Sequence, residues 1–156
     1  MRYITIYCMV ELDLLSYQSN LKVKKNEDQS LIWDFIRRKW VRLTPEEMVR
    51  QLVIQHLLVS GFSERLIQVE RKVTYHGLNR RFDIVAYQKE LIPFLLIECK
   101  SPQITINQDT FDQIAQYNMS LTVPFLWVTN GRVNYCCQMD YTNRSYRFLD
   151  HIPIPV

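Results

Sequence analysis

The stretch Phe94-Leu95-Leu96-Ile97-Glu98-Cys99-Lys100 runs through four apolar residues and ends on two opposite charges one residue apart. Side chains of a strand alternate between faces, so Glu98 and Lys100 leave together on one face while Ile97 and Cys99 point to the other. So apolar a run reads as a central strand, where a carboxylate and an ammonium are costly without a partner or a metal. A structural ion pair at the strand end is the plainer alternative.

The preceding segments supply a second carboxylate. Strand patterns at about 66–76, 81–87 and 92–99, with Gly77-Leu78-Asn79 as the first turn, form a three-stranded meander. Asp83 lies in the middle strand, in the arrangement Asp83-x14-Glu98-x-Lys100. Paired strands bring Asp83 and Glu98 together, and two convergent carboxylates with a backbone carbonyl and water make the hard, oxygen-rich site that Mg²⁺ prefers. Lys100 beside them is placed to orient or deprotonate an attacking water and to offset developing phosphorane charge.

Two helices frame the meander. Thr44-Pro45-Glu46-Glu47 reads as a start, with Thr44 as N-cap, Pro45 at the first helical position and Glu47 closing a capping box, and the helix runs to about Ser60 before Gly61. A second helix is expected at about 108–119, then a strand at 123–129, a two-residue turn at Asn130-Gly131 and a strand at 132–139. Residues 11–36 read as an irregular or short β arm packing on the domain, and the tail with Pro153 and Pro155 as a frayed end. We therefore divide the chain into an arm (1–30), a domain (31–150) and a tail (151–156).

With 156 residues, 47% of them hydrophobic, the chain suits one domain with a real core. Its net charge of +3 permits contact with a polyanion but is far from the concentrated charge of a nucleic-acid coat protein. Cys8, Cys99, Cys136 and Cys137 contain no CxxC pair, which argues against a zinc site or a disulfide framework and for reduced thiols in a cytoplasmic protein. The short apolar opening is cut off by Glu11 and Asp13, so neither an export signal nor a membrane span is expected, and Met9 offers an alternative start.

Asp83 with Glu98-Cys99-Lys100 resembles the motif of the PD-(D/E)xK nuclease superfamily, although Phe82 stands where that family often has proline. The neighbouring stretches extend the likeness: Leu43-Thr44-Pro45-Glu46-Glu47-Met48-Val49-Arg50-Gln51, Arg81-Phe82-Asp83-Ile84, Glu98-Cys99-Lys100-Ser101-Pro102, Phe111-Asp112-Gln113-Ile114-Ala115-Gln116-Tyr117-Asn118 and Val128-Thr129-Asn130-Gly131. Together they look like the small proteins related to the N-terminal nuclease domain of type I restriction enzyme R subunits, over roughly residues 30–140.

The resemblance implies an α/β fold with a restriction-endonuclease-like core, a central mixed sheet flanked by helices, and Mg²⁺- or Mn²⁺-dependent DNA cleavage. It implies Asp83, Glu98 and the carbonyl of Cys99 as metal ligands and Lys100 as the group acting on water. A first-helix carboxylate falls on Glu46 or Glu47, with Glu46 preferred for its nearness to the face of Val49 and Val53. Gln113 and Tyr117 match a Gln-x3-Tyr signature and share one helix face, although Thr110 and Gln113 equally suit a capping box.

DNA is the expected partner, with other restriction-system subunits or a second copy. The chain has no Walker-type loop, so any translocation belongs to a partner. Arg80 with Arg81, and Arg37-Arg38-Lys39, suit phosphates or a solvated face. His56 and His76 lack a second ligand at metal spacing, and Trp33, Trp40 and Trp127 are most simply core or interface aromatics. Two rivals stand: a non-catalytic adaptor that uses the fold to bind DNA or protein, and a branched-DNA resolvase.

Overall fold

A computed structural model of the chain describes residues 9–75, 77–119 and 121–156. Cys8 and His76 lie outside the described residues, as does the question of a start at Met1 or Met9, and the side chain of Arg80 is likewise outside what is described.

Helix α1 spans Pro45–Val59 and begins as its sequence predicts, with the Glu47 amide donating to Thr44 Oγ1 at 3.1 Å. The return half of the capping box is replaced, because the Glu47 carboxylate accepts from Arg37, Arg50 and Gln51. At the other end the Phe62 amide donates to the Leu57 carbonyl and the Gly61 amide to that of Leu58, with Gly61 at φ +100°. That is a Schellman stop, which a residue with a Cβ would strain.

The main sheet has six strands in the order β4 (Ile67–Tyr75), β5 (Leu78–Gln88), β6 (Ile92–Cys99), β7 (Phe125–Thr129), β8 (Asn134–Asp140) and β9 (Ser145–Leu149). All neighbours are antiparallel except β6 and β7, and a parallel pair needs a crossover, which helix α2 (Gln108–Asn118) provides. The helices cover opposite faces. Val49, Leu52, Val53 and Leu57 of α1 pack with Ile84, Leu95, Ile97, Cys99 and Trp127, whereas Phe111 and Ala115 of α2 pack with Phe82, Val85, Leu96, Leu126 and Cys137. β6 is therefore covered on both sides, the condition under which a strand can be continuously apolar.

Several expectations need correction. Leu78 and Asn79 belong to β5, since Tyr75 pairs with Leu78 and Thr74 with Asn79. The β7–β8 hairpin exists, but Thr129 pairs with Asn134, so its loop has four residues and β8 starts two residues later than 132. Asn130 Oδ1 accepts from the Arg132 and Val133 amides at 2.9 Å each, a side-chain turn that replaces the two-residue geometry and leaves only Gly131 at positive φ. In α2 the N-cap is Asn107, whose Oδ1 accepts from the Thr110 amide at 2.9 Å, so Thr110 and Gln113 form no capping box.

A second, three-stranded antiparallel sheet precedes α1: β1 (Val23–Lys25), β2 (Ser30–Asp34) and β3 (Lys39–Arg42). Val10 and Leu14 from before it are buried in the α1-side core. The tail does not fray, because Ile152 packs on that core and Pro153 is buried. No helix among the described residues is long and apolar enough to cross a membrane.

His56 is a satisfied core histidine. Its Nδ1 lies 3.2 Å from Tyr17 Oη and its Nε2 3.3 Å from Ser60 Oγ, with the ring edge-on to Trp127. Burial lowers its pKa below the ordinary 6.5. The unfolded chain therefore takes up a proton that the native site resists, and this part of the stability is present above about pH 6.5 and lost as pH falls toward the native value. The His56→Gln variant is expected to show a smaller drop in denaturation midpoint between neutral and mildly acidic pH than wild type; equal drops would remove His56 from the acid response.

Candidate active site

The site forms where β5 and β6 part. Their pairing runs from Gln88↔Ile92 to Ile84↔Ile97, and Asp83 is the next residue. In place of a strand carbonyl, Asp83 Oδ2 accepts from the Cys99 amide at 2.8 Å, while Oδ1 accepts from Arg50 Nη2 at 2.8 Å. The alternation of β5 slips here: Ile84 and Ala86 face α1 and Val85 and Tyr87 face α2, yet Phe82 also joins the α2 side. At the same level on β4, Glu70 has φ +52° between the rungs Val69↔Ile84 and Arg71↔Phe82. A left-handed non-glycine residue costs roughly 1–2 kcal/mol, and the bonds that Glu70 accepts from Arg37 and Arg50, with its ion pair to Arg81, oppose that cost.

Glu98 and Lys100 emerge on the α2 face. They line a cavity of about 440 Å³ with Arg81, Phe82, Tyr117 and Asn118. Burial, reinforced by the charge of Asp83 and a hydrogen bond to it, pushes the Glu98 carboxyl up to about 9, against the pull of Lys100. A second carboxylate in contact thus disfavours the charged form of Glu98. The Lys100 backbone is fixed by its amide, which donates to the Thr129 carbonyl at 2.8 Å.

Behind Asp83 lies a charge network to which the sequence alone assigns no role. Arg50, with its side chain 5% exposed, bonds Asp83, Glu47 and Glu70 and lies 3.9 Å from Glu46. Burial opposes its charge, but Glu47 and Asp83 outweigh that and hold the guanidinium firmly protonated. Arg37 bonds Asp34, Glu47 and Glu70, so its guanidinium is held by three carboxylates, whereas Arg38 pairs with Glu64 at the surface. The available signal was helical spacing: Glu46 and Glu47 stand four and three residues before Arg50, on one face.

The remaining candidates are placed unevenly. Glu46 is exposed on the first turn of α1, and burial together with the charge of Asp83 raises its pKa, so it lies in the field of the site while Glu47 faces the arginines. Tyr117 and Arg81 line the cavity; Gln113 is exposed on α2 and is not among the lining residues. The Cys99 thiol points into the α1-side core, where burial holds it well above its ordinary pKa. Among the described residues no three or more His, Cys, Asp or Glu side chains gather as a metal cluster. The donor set is therefore two carboxylates and backbone. Oxygen donors of this kind suit a hard divalent cation.

A mixed sheet sandwiched by two helices, with its acidic pair where two strands separate, defines a restriction-endonuclease-like fold. The family described as "Type I restriction enzyme R protein N terminus (HSDR_N)" matches residues 45–153, and the chain belongs to it. The chain is similar in structure to a fragment assigned to an HsdR subunit of a type I restriction enzyme from Vibrio vulnificus YJ016, with a TM-score of 0.52 and 22% identity over 72% of this chain. It spans 24% of that longer protein. No curated protein matches it.

Proposed function

We propose that the chain is a divalent-metal-dependent DNA endonuclease acting as the nuclease module of a restriction-type system in the cytoplasm. The observation that carries this reading is the contact of Asp83 with Glu98, which shares one open cavity with Lys100. Asp83, Glu98 and the Cys99 carbonyl would hold Mg²⁺ or Mn²⁺, which supplies positive charge against the phosphodiester and acidifies water. Glu98 would serve there as the carboxylate. Lys100 holds the attacking water and stabilises charge on the phosphoryl oxygens. Arg81 and Tyr117 contact the DNA at the cavity rim together with Arg80, Glu46 assists the metal shell, and Gln113 orients the site from α2. Motor and specificity functions fall to partner subunits, or to a second copy where cleavage of both strands requires it.

Calorimetric titration of Mn²⁺ into wild type is expected to show one site, with proton release at neutral pH, and Asp83→Ala should lose it. Wild type should cut DNA with Mg²⁺ or Mn²⁺ and stop on chelation. Equal Mn²⁺ binding by the two proteins would remove the metal site from this pair.

A further inference from the structure

The three-stranded sheet has one face toward the domain and one away. Ile32 and Asp34 of β2 are buried on the inner face. The pairings Lys24↔Leu31, Leu31↔Arg42 and Trp33↔Trp40 put these five residues on the outer face. Lys24 and Arg42 are exposed there, on the two outer strands of a row about 10 Å across. Beside them the half-buried Trp33 and Trp40 rings meet edge-on at 5.4 Å, with Lys24 Nζ 4.3 Å from the Trp40 ring centroid.

Three observations indicate what this face binds. Lys24 and Arg42 form no salt bridge with any described carboxylate, unlike Arg37 and Arg50. No acidic residue stands in the outward-facing rows of the sheet: Glu27 and Asp28 sit in its turn, and Asp34 is buried on the inner face against Arg37. The face also adjoins the first turn of α1, because Arg42 lines a cavity of about 530 Å³ with Glu46, Arg50, Glu70 and Ser101. Cations without a carboxylate partner, set beside flat aromatic rings, suit a phosphate backbone with its sugars and bases.

We propose that this outer face is a second DNA contact surface, in which Lys24 and Arg42 bind phosphates flanking the cleavage centre and Trp40 with Trp33 bears on the adjoining sugars or bases. The inference rests on the nuclease reading for its occupant, but binding can be tested without cleavage.

The test is fluorescence anisotropy of a labelled duplex and a labelled single strand of equal length, in Ca²⁺, across a salt series. The Lys24→Ala/Arg42→Ala double variant is expected to bind more weakly, with the slope of log affinity against log salt reduced by about 2, close to one unit for each phosphate left without its cation. Trp40→Ala should weaken binding while leaving that slope unchanged. Wild type that binds with the same affinity and slope as the double variant overturns the proposal and leaves the nuclease reading standing. Wild type that cuts no DNA but binds it through these residues rejects the nuclease reading and supports the surface. Wild type that binds neither probe overturns the surface. Concentration-dependent dimerisation abolished by Trp40→Ala, with DNA binding intact, would assign the face to a second copy and overturn it too.

Discussion

Lys100→Ala is expected to slow DNA cleavage by a factor of roughly 10² or more, the scale of losing a positioned acid–base or electrostatic group. Lys100 projects from the end of a strand whose backbone is tied to Thr129, into the cavity that also holds Glu98. In the proposed reaction its ammonium stands where charge changes. DNA affinity in Ca²⁺ at matched salt should fall much less, since Arg81 and the other exposed cations still bind phosphates. Single-turnover rates and anisotropy on one protein preparation separate the two effects. If the wild type cuts no form of DNA, and Lys100→Ala weakens binding as much as Arg81→Ala does, Lys100 only binds phosphate and the adaptor reading prevails.

The second large effect is on stability. Arg50→Ala removes the one cation among the described residues that bonds Glu47, Glu70 and Asp83 together, with Glu47 and Arg50 both buried. Breaking a buried ion pair by deleting one partner typically costs about 3–5 kcal/mol, because the other charge is left without compensation. Arg50→Ala should therefore lower the urea midpoint strongly, and adding Glu47→Gln to it should recover part of the loss by removing a buried carboxylate then held by Arg37 alone. A change below about 1 kcal/mol, the level of an ordinary substitution, would show that solvent already shares this cluster.

Local signals in the sequence are strong where backbone chemistry is local. The Thr44-Pro45 start and Gly61 stop of α1 follow from capping, and the faces of β6 follow from alternation, with Cys99 inward and Glu98 and Lys100 on the cavity side. The belonging of residues 45–153 to the restriction R-protein family agrees with the likeness carried by the short stretches around Asp83 and Glu98. Illegible features depend on partners distant in the chain. Glu70 meets Arg37, Arg50 and Arg81 only after the strands pair, and nothing near residue 70 announces its left-handed backbone. β1 and β9 gain their status from neighbours, since three exposed residues at Val23–Lys25 carry no alternation to recognise. The Asn130 turn departs from expectation because the dipeptide suggests a backbone geometry while the asparagine side chain supplies its own acceptor.

The double duty of Asp83 changes how the three motif residues should be weighed. Its carboxylate stands in for a backbone acceptor to Cys99 and neutralises Arg50, so folding alone favours an aspartate there, and a chain that had abandoned cleavage would still gain from keeping it. Glu98 has no such backbone duty: it is confined beside another acid, and burial and that neighbour both oppose its charge. A leucine or glutamine at that position would relieve the fold. Of the two carboxylates, the glutamate is therefore the informative one, and in any inactive descendant of this architecture it should be the first to be replaced while the aspartate persists.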